Sequence, residues 1–204
     1  MTATAVPRQP RGRPREFDPD LAVRRAMHAF WSGGYHGTSL PDLLRATRLS
    51  RGSLYTAFGD KRGLFLHALD RYIDESLARV DTELDPARGA VAGLKVFLAG
   101  YVDRASGTRG KRGCLVVATA MELAGQDTEV ERRIRRFFRA LENRLADAFA
   151  RARAEGHLAD GVDPADAARA LLGLVEGLRV IAKTGVDRAV WQATADALLG
   201  RFTT

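Results

Sequence analysis

An all-α fold is predicted for this chain of 204 residues, and three observations predict it. Alanine, leucine and arginine are plentiful while β-branched residues are sparse, a composition that favours helix throughout. Apolar residues recur at three- and four-residue spacing through long runs, most clearly 61–84 and 128–156. The dipeptide Asp-Pro stands at Asp18-Pro19, Asp85-Pro86 and Asp163-Pro164, each time an N-cap carboxylate followed by proline at the first helical position. About nine helices account for the pattern.

Composition narrows the class. No apolar stretch approaches the ~20 residues that span a bilayer, and the start of the chain lacks the apolar core of a secretory signal. A single cysteine excludes an internal disulfide and fits a reducing cytoplasm. The formal charge of +7 is unevenly placed: residues 1–62 hold 11 Lys and Arg against 5 Asp and Glu, leaving +1 for the remainder. A basic module joined to a neutral one is the footprint of a protein that meets nucleic acid at one end. A membrane-surface role would need a basic helix with an exposed aromatic face, and none is legible.

In chain order, residues 1–16 contain three of the seven prolines and little to bury, and read as a basic arm. Its Arg11-Gly12-Arg13-Pro14-Arg15 resembles an AT-hook, with arginines suited to a narrow minor groove. The first helix opens at Asp18-Pro19, buries Leu21, Ala22, Ala26, Ala29 and Phe30, and stops at Gly33-Gly34. His28 and His36 have no metal-ligand spacing and read as surface or capping residues.

Thr38 and Ser39 supply hydroxyls to cap a short helix whose apolar face is Leu40, Leu43 and Leu44. Ser50 caps a second short helix in which Leu54 and Phe58 point inward. Arg51, Gly52, Ser53, Tyr55 and Thr56 are left facing outward, a small, hydroxylic and cationic surface that a DNA major groove accepts. Gly59 ends that helix and Asp60 caps the next, with Lys61 and Arg62 just inside it.

The run from Leu49 to Lys61, with Gly34-Tyr35 and Thr38-Ser39 upstream, resembles the DNA-binding domain of a TetR-family transcriptional regulator. The spacing Tyr55, Phe58, Lys61, Leu64 carries most of the likeness, which covers about the first third of the chain. The remainder matches in being helical and of suitable length. The resemblance implies an N-terminal three-helix domain with a helix-turn-helix over residues 17–62, and a C-terminal helical effector-binding and dimerisation domain over 63–204. It also implies a ligand-responsive regulator, most simply a repressor, that binds a pseudo-palindromic double-stranded operator as a homodimer, with no cofactor. Arg51 is expected to read a guanine edge, and Ser53 and Thr56 to touch bases or phosphate. Tyr55, Lys61, Thr38 and Ser39 are expected to hold phosphates, and Arg11, Arg13 and Arg15 to reach the minor groove.

Beyond this module, residues 61–84 form a lever of roughly 24 residues, about 36 Å long. Asp85-Pro86 is expected to start a helix through Leu94, Phe97, Leu98, Tyr101 and Val102. The polar run 106–113 reads as a loop; its Gly110-Lys111 is followed by Arg112 where a phosphate loop needs Ser or Thr. Residues 114–123 read as a buried helix. A long amphipathic helix follows, with Arg132, Arg133, Arg135, Arg136 and Arg139 on a solvated face.

The effector, an unidentified small molecule, is expected among the middle helices beside Phe97, Tyr101, Cys114, Met121, Phe137, Phe138 and Leu178. With no charge cluster legible there, a mostly apolar compound is the default. Leu171, Leu174, Val175, Leu178, Trp191, Leu198, Leu199 and Phe202 are expected to pair two copies into a four-helix bundle. Gly113-Cys114-Leu115 is similar to a tripeptide of family members whose thiol senses electrophiles or oxidants, and a helix N-terminus there would lower the thiol pKa. A thiol-sensing regulator and an effector-independent DNA binder are therefore the alternatives. An enzyme built on Cys114 and His157 lacks an orienting third group, a nucleotide loop or metal spacing.

Overall fold

Residues 17–204 are described by a computed structural model. Ten α-helices span Pro19–Gly37 (α1), Leu40–Thr47 (α2), Arg51–Phe58 (α3), Lys61–Glu83 (α4), Ala90–Ala105 (α5), Gly107–Arg112 (α6), Leu115–Leu123 (α7), Thr128–Ala154 (α8), Pro164–Ile181 (α9) and Arg188–Phe202 (α10). Among the described residues, the β pairing consists of one isolated antiparallel bridge between Leu158 and Thr203. It ties the end of α10 to the α8–α9 connection.

Seven of the ten helices begin at a side-chain cap, and α5, α6 and α7 begin without one. The Asp18 carboxylate accepts from the backbone N–H groups of Asp20 and Leu21, and Ser39 and Asp42 form a reciprocal capping box at α2. The break foreseen at the glycine pair is real: Gly34 has φ 73° and ψ 176° inside the span of α1, so the last residues of that helix turn away from its axis. Between α2 and α3, Arg48 takes the left-handed conformation, and this sets the tight turn. Gly63 is demanded by packing, since a Cβ there would lie 1.9 Å from the carbonyl oxygen of Phe58. The small core under these helices is Phe30, Leu43, Leu54, Leu64 and Phe65, with Phe30 edge-on to Phe65 at 5.0 Å.

The body is organised on α8, a helix of 27 residues that packs against α9, α5, α4 and α7. Its inward residues Val130, Ile134, Phe137, Leu141, Leu145 and Phe149 are those of the sequence periodicity. Its arginines are laced to carboxylates, Arg133 to both Glu129 and Asp70, Arg132 to Glu129 and Arg135 to Glu131. The α4 lever has 23 residues, about 35 Å of helix.

Two local expectations are corrected. Asp85-Pro86 opens a single 3-10 turn, and α5 begins after Gly89, whose φ of 80° interrupts the helical path. Within the polar run 106–113, residues 107–112 are helical as α6 rather than a loop. Gly110 makes this possible, because a Cβ there would stand 1.9 Å from the Ala105 carbonyl oxygen. Polarity and glycine content point to a loop when only local sequence is weighed, whereas packing against α5 decides for helix.

Candidate nucleic-acid interface and effector cleft

The α3 helix is held from beneath by Leu54, which is fully buried, and Phe58, which is half-buried. Ser50 Oγ accepts from the Ser53 N–H at 3.0 Å and lies 2.8 Å from the Ser53 hydroxyl, fixing the first turn. Arg51, Gly52, Tyr55 and Thr56 are exposed, Tyr55 by 47%. Ser53 is half-buried. Ser39 is exposed at the start of α2, while the Lys61 ammonium sits over the Tyr35 ring at 4.5 Å. Thr38 requires a correction: it is 4% exposed and its hydroxyl donates to the Gly34 carbonyl at 2.6 Å, so it braces the glycine break and does not face a phosphate. Arg11, Arg13 and Arg15 lie outside the described residues.

Polar contacts that help bind this head to the body were not legible in the sequence. Glu122 at the end of α7 accepts from the backbone N–H groups of Tyr35 and His36 at 2.8 and 2.6 Å. Arg62 grips Asp127 with two bonds of 2.7 and 2.9 Å; this guanidinium, foremost, holds the Asp127 carboxyl down at about 2. The Trp31 indole donates to the Gly113 carbonyl at 3.2 Å, with the Arg112 guanidinium 4.5 Å above the same ring.

Between these contacts lie two clefts. One, of about 480 Å³, is lined by Trp31 of α1, Tyr72 and Arg79 of α4, Arg104 of α5, Arg109 and Arg112 of α6, and Arg179 of α9, among others. A second, of about 570 Å³, shares Trp31 and Arg179 and reaches Cys114, Val117 and Glu122. Five arginines line the first, set in a lining that is otherwise mainly apolar. Its arginines come from four separate helices, which is why no charge cluster could be seen along the chain. Phe97, Phe137 and Leu178 are packed into the core and line neither cleft. Tyr101 is also buried, with the Arg104 guanidinium 4.7 Å from its ring. Phe138 is half-buried and lines neither cleft, and Met121 is 85% exposed at the rim of the second.

Cys114 is 7% exposed and receives the Tyr72 hydroxyl at 3.5 Å. Burial, followed by the charge of Glu176, pushes its thiol above the ordinary value, reversing the expectation of a lowered pKa at a helix N-terminus. Glu176 itself is held up to about 7 by burial, and both its carboxylate oxygens are enclosed without a hydrogen-bond partner among the described residues.

The expected pairing residues also divide. Leu171, Val175, Leu178 and Leu199 are 0 to 3% exposed inside the chain's own core, because that stripe of α9 packs on α8 and that of α10 on α5. Leu174, Trp191, Leu198 and Phe202 are half-buried. The outer faces instead present Val180, Ile181 and Val190 at 52, 46 and 60% exposure, and nothing stands near a Cβ built on Gly173 or Gly177.

A capped short helix presented outward on a three-helix head, braced by a larger helical body, defines a helix-turn-helix DNA-binding protein. Comparison with known proteins specifies the family. Residues 23–68 match "Bacterial regulatory proteins, tetR family" and residues 90–198 match "Tetracyclin repressor-like, C-terminal domain". The chain belongs to the TetR family and is a DNA-binding transcriptional regulator.

Among its relatives, the HTH-type transcriptional repressor ComR of Escherichia coli (strain K12) is 29% identical over 91% of this chain and 89% of its own. The uncharacterized HTH-type regulator YezE of Bacillus subtilis (strain 168) is 31% identical over 92% of this chain and 97% of its own. A solved structure of the TetR-family regulator CifR, a cysteine mutant complexed with 26bp double-strand operator DNA, is 34% identical with a TM-score of 0.82. It covers 94% of this chain and all of that one. The family and these relatives are regulators rather than enzymes. No described helix is long and apolar enough to cross a membrane.

Proposed function

We propose that the protein is a cytoplasmic, homodimeric, effector-responsive repressor that reads a pseudo-palindromic operator with α3 of each copy. The observation that carries this reading is the division of α3 into a fully buried Leu54 and an exposed face of Arg51, Gly52, Tyr55 and Thr56. Arg51 reads a guanine bidentately, Tyr55, Ser39 and Lys61 hold phosphates, and Arg11, Arg13 and Arg15 follow the adjacent minor groove. The head covers residues 17–62 and the body 63–204. Two heads sit roughly 34–36 Å apart on successive major grooves.

The second copy packs on the outer faces of α9 and α10, supported by Val180, Ile181 and Val190 and by the open space over Gly173 and Gly177. An effector acts by binding one spacing of the heads better than the other. The buried Cys114, with its thiol pKa pushed up, gives no support to thiol sensing. An effector-independent architectural role is separated by whether any small molecule changes operator affinity.

The test is retardation of DNA fragments flanking the coding region by wild type, Arg51→Ala and Lys61→Ala. Arg51→Ala is expected to relax choice at one base pair, at about 1–3 kcal/mol, while Lys61→Ala weakens binding to all sequences alike. A monomer in solution, or equal affinity for every duplex, would refute the reading.

A further inference from the structure

We propose that the cleft shared by α1, α4, α5, α6 and α9 receives a small organic oxyanion, a carboxylate or phosphate monoester on a flat apolar body. This deepens the effector-responsive reading and rests on it.

Arg79, Arg104, Arg109, Arg112 and Arg179 converge on one space of about 480 Å³, within the usual size of a small-molecule site. The carboxylate that lines it, Asp103, is already bound by Arg188 at 2.6 Å, and Arg104 is paired with Glu83 outside the lining. Among the described residues, Arg79 has a 3.5 Å bond to Ser76, and Arg112 a 3.3 Å bond to Ser32. Like charges lining one cleft repel, and an anion between them adds attraction. Guanidinium forks suit carboxylate and phosphate because two N–H groups meet two oxygens.

Arg179 is 7% exposed, with its Nη1 donating at 2.9 Å to the Arg104 carbonyl, and its charge acts on the buried Glu176 carboxyl. A cation enclosed to this degree and lining an open space is placed for an incoming counter-charge.

An aromatic wall completes the cleft. Trp31 stands edge-on to Tyr72 at 4.9 Å, near-parallel to His28 and under Arg112. Such a surface accepts a flat apolar body beside the anionic group. Because Trp31 belongs to α1 and is hydrogen-bonded to Gly113 at the end of α6, an occupant touches the head and the body together. Occupancy therefore changes how α1, and α3 with it, is carried.

The test uses the full chain without DNA. Isothermal titration with 2-naphthoate, phenyl phosphate, neutral 2-naphthamide and inorganic sulfate is run on wild type, on R109Q/R112Q and on R79Q. These positions are exposed or half-buried, and thermal melts verify folding. Binding of naphthoate or phenyl phosphate, at least about tenfold tighter than of naphthamide and weakened about tenfold in either variant, is expected. Which of the two binds assigns the headgroup. No anion binding, equal binding of naphthamide or sulfate, or undiminished binding in both folded variants overturns the proposal. Operator retardation by the same preparations is read separately, so failure here leaves the DNA-binding reading standing and loss of DNA binding leaves this one.

Discussion

The carboxylate of Glu122, at the end of α7, accepts hydrogen bonds from the consecutive backbone N–H groups of Tyr35 and His36, where α1 is broken by Gly34. The break frees those donors from the helical ladder, and a body residue satisfies them. Replacing Glu122 by Ala is expected to destabilise the chain by about 1–2 kcal/mol. Amide exchange at Tyr35 and His36 should accelerate, and Glu122→Gln should keep part of the protection through its remaining acceptor. Unchanged exchange in the alanine variant would show that this contact does not hold the head.

Gly63 lets α4 start directly beneath the end of α3. A methyl group there meets the Phe58 carbonyl oxygen at 1.9 Å, a contact between backbone and Cβ that no rotamer relieves. Gly63→Ala is expected to cost about 2–4 kcal/mol and to tilt α3 on its support. Thermal melting and operator affinity should both fall.

Asp127 has a folded pKa of about 2 against an ordinary 3.8, chiefly through Arg62. Its contribution is therefore complete above about pH 4 and is lost as pH falls toward 2. The pair is partly exposed, with Arg62 at 44%, so solvent screening limits it to about 1 kcal/mol. Asp127→Asn should keep the α8 cap, lower stability at neutral pH, and converge with wild type in acid unfolding near pH 2.

Glu176 behaves oppositely. Its carboxyl keeps a proton up to about pH 7 when folded, while the unfolded chain releases it near the ordinary 4.5. The folded state binds more protons between those values, so this group's stabilisation is complete below about 4.5 and is lost as pH rises through about 7. Glu176→Gln is expected to gain roughly 1–3 kcal/mol near pH 8 and nothing near pH 4, checked by denaturant unfolding at both.

Thr38 and Tyr55 separate bracing from reading. Thr38→Val removes the donor to Gly34 and should lower stability by about 1 kcal/mol, leaving the salt dependence of DNA binding as it was. Tyr55→Phe removes an exposed hydroxyl and should weaken DNA binding without moving the melting temperature. The reverse pattern would reassign both residues.

What could be read along the chain was whatever local chemistry specifies. Asp18, Ser39, Ser50, Asp60 and Asp163 announce helix starts by their capping groups, and the 128–156 periodicity marks its own buried face. The outward set on α3 followed because neighbours on one short helix share a face whatever packs beneath. The helical state of residues 107–112 escaped, since it depends on Gly110 nesting against Ala105. Thr38 was misread because a hydroxyl beside a cap looks alike whether it faces solvent or the Gly34 carbonyl.

The sequence alone determined the class of fold, the caps and the face of α3, because these depend on residues within one or two turns of each other. Only the tertiary structure decided that α9 turns Leu171 and Val175 inward, that Cys114 is enclosed with its thiol pKa raised, and that arginines from four helices surround one cleft. Those outcomes join positions as distant as Trp31 and Arg179, and charge or burial summed across such separations has no period along a chain.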